Sequence, residues 1–342
     1  MANLLERYGI KPDLDKSFSI SFIDNFVDCS YRVFLTYFMG LWKKTADIPK
    51  VFGSGCHRGL AKVNELMQAH NEVCRKCTRD CKLYSVDKVK AMLVPMEECR
   101  IKQLMMEQFL LEFNDEFEEL ALVTNKNKTA AEVKEILLAH HRYAYNCMCS
   151  VMFQSQPVGE VLMTENKLTG TLGEHKILGV VDLVLGIQQE NKMPKTLIVD
   201  YKTTGIMPPD ILPMRQLSLY VHLLEQRNLE INGVSAIYMV KKDPPKVIRK
   251  NSKEFQQSKT TFISLDRDRT EYEKALAGIK EDMDQVKDAI SCGNFMRNRK
   301  SVFCQSCEQK EYCENAYLLD KAVEMGQTKQ THNSEKDKEL EE

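Results

Sequence analysis

The chain has 342 residues, 43% of them hydrophobic and 28% charged, which is enough apolar sequence to bury one large core or two modest ones. Lys and Arg number 48 against 49 Asp and Glu, so net charge gives a nucleic-acid partner no support, and any such path must be a local patch. No apolar run reaches the roughly 18 residues of a membrane span, and Met1–Arg7 lacks a signal-peptide pattern, so the expectation is a soluble, cytoplasmic protein with no membrane partner.

Phe22, Ile23, Phe26, Val27, Phe34, Tyr37 and Phe38 recur at helical spacing and predict one amphipathic helix over 18–42 with Cys29 inside it. Gly53-Ser54-Gly55 loosens the backbone and predicts a helix start at Cys56-His57-Arg58, with His57 in its first turn. Two long helical patterns follow, over about 88–123 (Leu104, Phe109, Phe113) and 129–153 (Val133, Ile136, Leu137), and read as a helical insertion spanning about 60–153. From Val158 the period shortens. Val158–Met163 reads as a strand, and Ile177–Leu185 and Thr196–Lys202 are near-continuous aliphatic runs buried on both faces, joined by a turn over Gln188–Pro194. Pro208, Pro209 and Pro213 break the chain before a helix from about Met214 to Gln226, Val234–Val240 is a further strand, and 268–291 is helical. The fold class is α/β, in a single domain over 1–325: a sheet core over about 157–265, then a C-terminal helix and cysteine cluster over 268–318. Residues 326–342 are polar and charged and read as a disordered tail.

Two carboxylates are embedded in the apolar strand runs, Asp182 in the first and Asp200 in the second, which Asp200-Tyr201-Lys202 closes. An unpaired internal carboxylate costs several kcal/mol, so both need a cation. A shared divalent metal is the simplest partner, and the constellation reads as a metal-dependent phosphodiesterase.

Twelve cysteines without a secretion signal favour metal ligation over disulfides. Cys304, Cys307 and Cys313 form C-x2-C-x5-C, and Cys74, Cys77 and Cys81 form C-x2-C-x3-C in a basic stretch. The second run is a candidate site for a structural Zn²⁺, completed by His70, Cys56 or Cys99. Lys241, Lys242, Lys246, Arg249, Lys250 and Lys253 make a dense basic segment, readable as a grip on phosphates or as a solvated loop.

His57 after a Gly-rich turn, Gly179-x-x-Asp182, Asp200-x-Lys202, Gln216-x-x-x-Tyr220, and Cys29 with Cys304-x2-Cys307-x5-Cys313 occur in that order. The set, spanning about 18–313, resembles the PD-(D/E)XK superfamily, in particular RecB/AddB-type nuclease domains and the CRISPR-associated iron-sulfur exonucleases. The resemblance implies a restriction-endonuclease-like core, a mixed central sheet flanked by helices, with a helical insertion and an Fe-S-stapled C-terminus. It implies metal ligation by His57, Asp182 and Asp200 with the Tyr201 carbonyl, and these ligands suit Mg²⁺ or Mn²⁺. Lys202 would orient the attacking water, Gln216 and Tyr220 would lie beside the metal and contact DNA, and Glu160 on the neighbouring strand is a looser member of the site. Cys29, Cys304, Cys307 and Cys313 would hold a 4Fe-4S cluster, with Cys292 a rival for the fourth position and Zn²⁺ the rival occupant. Ser30 stands where the family often has proline after this cysteine.

The activity implied is that of a metal-dependent DNA exonuclease in recombination, repair or spacer capture, acting on single-stranded or end-bearing duplex DNA. A non-catalytic Fe-S DNA-binding or assembly module is the alternative. No G-x-x-x-x-G-K-[ST] phosphate loop occurs, so a separate helicase, annealing protein or integrase is the expected partner.

Overall fold

Unbroken β-branched and aliphatic runs become adjacent strands because two-sided burial suits them. The computed structural model describes residues 3–13, 15–41, 48–74, 100–124, 129–150, 159–187, 195–205, 213–241, 258–264, 269–301, 304–305 and 307–325. In chain order the elements begin with α1 (Leu4–Arg7), β1 (Phe18–Ser19), α2 (Ile20–Asp28), α3 (Ser30–Val33) and a π-helical turn at Phe34–Phe38. They continue with α4 (Ile48–Cys74), α5 (Arg100–Thr124), α6 (Ala130–Ser150), β2 (Glu160–Leu172), β3 (His175–Ile187) and β4 (Lys195–Thr204). The chain then forms α7 (Met214–Glu225), β5 (Gly233–Val240), β6 (Ser258–Ser264), α8 (Arg269–Cys292), α9 (Lys310–Glu314) and α10 (Ala316–Glu324). Contacts divide the chain into one unit of Met1–Lys44, Thr169–Leu178 and Lys274–Glu342, and a second of Thr45–Leu168 and Gly179–Glu273.

In the second unit the strand order is β3-β4-β5-β6, with β2 also paired to β3. β3 and β4 are antiparallel, β4 and β5 parallel, and β5 and β6 antiparallel, so the sheet is mixed. The parallel step is bridged by α7, as a parallel connection requires. Phe52, Leu60 and Val63 of α4, Phe109, Phe113 and Phe117 of α5, and Met148 of α6 share one core with Leu183, Val199 and Ile237 of the sheet. Each such side chain contributes about 1.5–3 kcal/mol by leaving water. These helices form a layer on the sheet.

The expected helix start at Cys56 is corrected. The helix begins at Ile48 and runs straight through Gly53 and Gly55, which puts His57 well inside α4. These glycines serve close approach, not a turn. A Cβ on Gly55 would stand 2.8 Å from a Phe113 ring carbon, and one on Gly59 would stand 2.6 Å from the Phe109 ring and 2.8 Å from its backbone oxygen.

In the first unit, Phe22 and Phe26 of α2 pack with Tyr31, Phe34 and Leu35, with Val286 and Ile290 of α8, and with Phe295 and Leu319. β1 adds a parallel pairing to the start of β3 (Phe18↔Ile177, Ser19↔Leu178). Arg7 reaches both oxygens of Asp320 at 3.1 Å, and the Tyr8 hydroxyl donates to the same carboxylate at 2.9 Å. The single helix expected over 18–42 is also corrected: it is broken at Cys29, whose backbone is extended (φ −159°, ψ 97°) between α2 and α3. The helical period survives the break because both segments bury one aromatic face.

Gly59→Ala must part α4 from α5, at a cost of about 1–3 kcal/mol for overpacking. Gly205→Ala, where an added Cβ meets nothing within 4 Å, should stay within about 0.5 kcal/mol of the parent. Urea unfolding of the two variants checks the contrast.

Candidate active site

Pairing between β3 and β4 runs from Ile187↔Lys195 to Leu183↔Val199 and gives way at Asp182. There Oδ2 of Asp182 accepts the Tyr201 N–H at 2.7 Å, a side chain standing in for a ladder carbonyl. Its other oxygen lies 3.4 Å from Nδ1 of His57, and Oε1 of Glu165 lies 3.8 Å from the same nitrogen. The ligand atoms of His57, Glu165 and Asp182 all fall within 4.8 Å of one another. The Tyr201 ring meets His57 edge-on at 6.5 Å between centroids.

Asp200 is fully buried, and Nζ of Lys202 reaches its two oxygens at 3.0 and 2.8 Å. Burial, and then the charge of Asp182, push the Asp200 carboxyl up to about 6 in spite of Lys202 and His57. At His57 burial disfavours the cation, but the adjacent Asp182 and Glu165 carboxylates outweigh it and raise the imidazole to about 10. Three carboxylates therefore share one lysine and an imidazole that is positive only when protonated. Carboxylates plus one imidazole, with negative charge in excess, fit a Mg²⁺ or Mn²⁺ ion.

Gln216 and Tyr220, in the first two turns of α7, enter through Lys202. Nζ of Lys202 donates to Oε1 of Gln216 at 2.8 Å, and Nε2 of Gln216 donates to the Tyr220 hydroxyl at 2.6 Å. Glu160 does not belong to the ligand cluster, and Glu165, which the sequence did not single out, does. Gly159 packs against Gly186, so β2 enters beside the far end of β3. Only at Thr164, whose hydroxyl donates to the Asp182 carbonyl at 3.2 Å, does it reach the site. Glu165 follows with φ +42°, a left-handed backbone that an extended strand residue does not adopt. That kink accompanies the placement of Glu165 in the cluster, and it is not visible in sequence.

The sequence pattern of the PD-(D/E)XK nuclease superfamily matches residues 17–314. The chain belongs to the PD-(D/E)XK nuclease superfamily. Membership implies a metal-dependent nuclease, and the mixed sheet flanked by helices agrees with a restriction-endonuclease-like fold. No curated protein matches the chain. Among solved structures it is similar to one described as "Crystal structure of SSO0001", at 14% identity over 52% of this chain and 70% of that chain, with a TM-score of 0.24. That score is too low to carry any argument. No helix among the described residues is long and apolar enough to cross a membrane.

In this nuclease, Cys29, Cys304, Cys307 and Cys313 line one cavity of about 590 Å³ in the first unit, together with Asp28, Arg32, Arg297 and Ser301. Asp28 organises the wall: it pairs with Arg32 at 3.0 Å, and its Oδ1 accepts from the Ser301 hydroxyl at 2.7 Å. Cys292, the rival fourth ligand, is exposed and does not line the cavity. Burial pushes the Cys307 and Cys313 thiols up. Cys74 ends α4, but its side chain, Cys77, Cys81 and Cys99 lie outside the described residues. So do the basic segment beyond Lys241, the 188–194 turn and the 326–342 tail.

A protonated His57 held between two carboxylates stabilises the metal-free protein. With the imidazole raised from 6.5 to about 10, that contribution is complete below pH 6.5 and is lost as pH rises through about 10. The Tm difference between the parent and His57→Gln, measured in EDTA, should therefore be largest at pH 6.5 and close towards pH 10. A gap that does not change with pH would contradict the carboxylate clamp.

Proposed function

We propose that the chain is a Mg²⁺- or Mn²⁺-dependent DNA exonuclease that processes DNA ends in recombination, repair or spacer capture. The observation that carries the reading is the convergence of His57, Glu165 and Asp182, with Asp200 and Lys202 joined to the same charge network. His57, Glu165, Asp182 and Asp200 would hold the ion, with the Tyr201 carbonyl as a further oxygen donor. When bound, a divalent cation polarises the scissile phosphate and activates water for in-line attack.

The protein's own groups do the rest. Asp182 spans both strands, fixing β4 through the Tyr201 N–H while facing His57. Lys202 has three N–H donors, of which Asp200 and Gln216 occupy two. The third, now beside the second Asp200 oxygen at 2.8 Å, would turn to the incoming water or a phosphate oxygen once that carboxylate holds the ion, where a preorganised cation typically contributes a few kcal/mol to the transition state. Four cysteines around one cavity supply the donor set of a 4Fe-4S cluster, held at Cys29, Cys304, Cys307 and Cys313. The family match extends from before Cys29 to just past Cys313, which supports counting the cysteine site as part of the nuclease. A helicase, annealing protein or integrase would supply ends.

Anaerobically purified protein with Mn²⁺ should shorten end-labelled linear DNA progressively and leave closed circular DNA intact. Asp200→Asn should lower that rate at least a hundredfold. Equal cleavage of circles would replace the exonuclease by an endonuclease, and activity surviving Asp200→Asn would remove the site. Separately, the protein should be brown, with about four irons and four sulfides per chain, and Cys313→Ser should lose them. A colourless protein with stoichiometric zinc would overturn the cluster.

A further inference from the structure

We propose that Gln216, Tyr220 and Gly179 form a positioning relay for Lys202 and do not contact DNA. This rests on the nuclease site described above and departs from the role that the resemblance implies for the glutamine and tyrosine. The chain of contacts is continuous: Asp200 and Oε1 of Gln216 hold the Lys202 ammonium, Nε2 of Gln216 donates to the Tyr220 hydroxyl, and the Tyr220 ring lies against Gly179. A lysine ammonium only donates, so it fixes which end of the Gln216 amide faces it. The NH₂ end is then directed at Tyr220, and both ends of the amide are engaged within the protein.

Tyr220 cannot serve as a surface contact, being only 4% exposed. Its place is set by Gly179, where an added Cβ would stand 2.8 Å from the ring carbon Cε1 and 3.1 Å from Cδ1. The glycine three residues before Asp182 thus makes room for the tyrosine that steadies the lysine. Spacing follows from this. Gln216 and Tyr220 are one helical turn apart and share the face of α7 that meets Lys202 of β4 and Gly179 of β3, so the relay closes over Lys202 only at this i, i+4 spacing, with three residues between the pair. Without the relay Lys202 keeps its pairing with Asp200 but loses the second anchor. Its remaining proton is then no longer aimed, which affects the chemical step and not the affinity for DNA.

The test compares Gln216→Met, Tyr220→Phe, Lys202→Met and the double variant Gln216→Met/Lys202→Met in the whole chain, with Mn²⁺ for the rates and without it for DNA binding. Rates are read on end-labelled linear duplex, and DNA Kd by fluorescence anisotropy of a labelled duplex in EDTA. The relay predicts that Gln216→Met lowers kcat about tenfold or more with Kd unchanged within about twofold. It predicts a smaller loss of kcat for Tyr220→Phe, which keeps the ring against Gly179, and a double variant no slower than Lys202→Met alone. Gln216→Glu, which keeps an acceptor towards Lys202, should retain more activity than Gln216→Met. A Kd weakened tenfold with kcat unchanged, or losses that multiply in the double variant, would overturn the relay and restore a direct DNA contact. If Lys202→Met itself leaves the rate unchanged, the nuclease site falls and the relay with it, a result distinct from the other two.

Discussion

The bond from the Tyr201 N–H to the Asp182 carboxylate is the constraint on which the site depends. Two antiparallel strands that stayed paired would bury both acids against one another with nothing to neutralise them. By accepting an N–H of the opposite strand, Asp182 holds the strands where their ladder ends and keeps one oxygen turned to His57. Asp200, one residue before Tyr201, is carried to the same place, and burial together with Asp182 makes its ionised form costly. The sheet creates a demand for positive charge that Lys202 only partly meets.

The sequence made the strand pair legible because acids inside unbroken aliphatic runs have few innocent explanations. Asp200-x-Lys202 places acid and lysine on one face of β4, since strand side chains alternate. Glu165 was hidden. It sits in Thr164-Glu165-Asn166-Lys167, a stretch whose polarity suggests a solvent-facing hairpin, and only a left-handed backbone turns its carboxylate to His57. β6 was hidden for a related reason. Ser258-Lys259-Thr260-Thr261 has little apolar character, and its strand identity comes from pairing with β5. The glycines before His57 misled in the opposite sense: the sequence shows that Cβ is missing but not whether a turn or a neighbouring Phe113 requires it.

The wall of the cysteine cavity is tied together by local hydrogen bonds. The Ser30 hydroxyl accepts the Met296 N–H at 2.7 Å and donates to the Met296 carbonyl at 3.3 Å. The same carbonyl accepts the Tyr31 N–H at 3.0 Å, and Asn298 donates to the Asp28 carbonyl at 2.8 Å. These bonds tie the extended Cys29 to the segment that follows α8. The break at Cys29 therefore has a definite geometry.

The central claim is that the acids brought together at the end of the β3–β4 ladder bind a divalent cation, and direct titration tests it. Metal-free protein titrated with Mn²⁺ and followed by electron paramagnetic resonance should show saturable binding that Asp182→Asn abolishes. Lys202→Met, which removes a competing positive charge, should preserve that binding. Mn²⁺ that fails to bind the parent, or binds Asp182→Asn as well as the parent, would contradict the account.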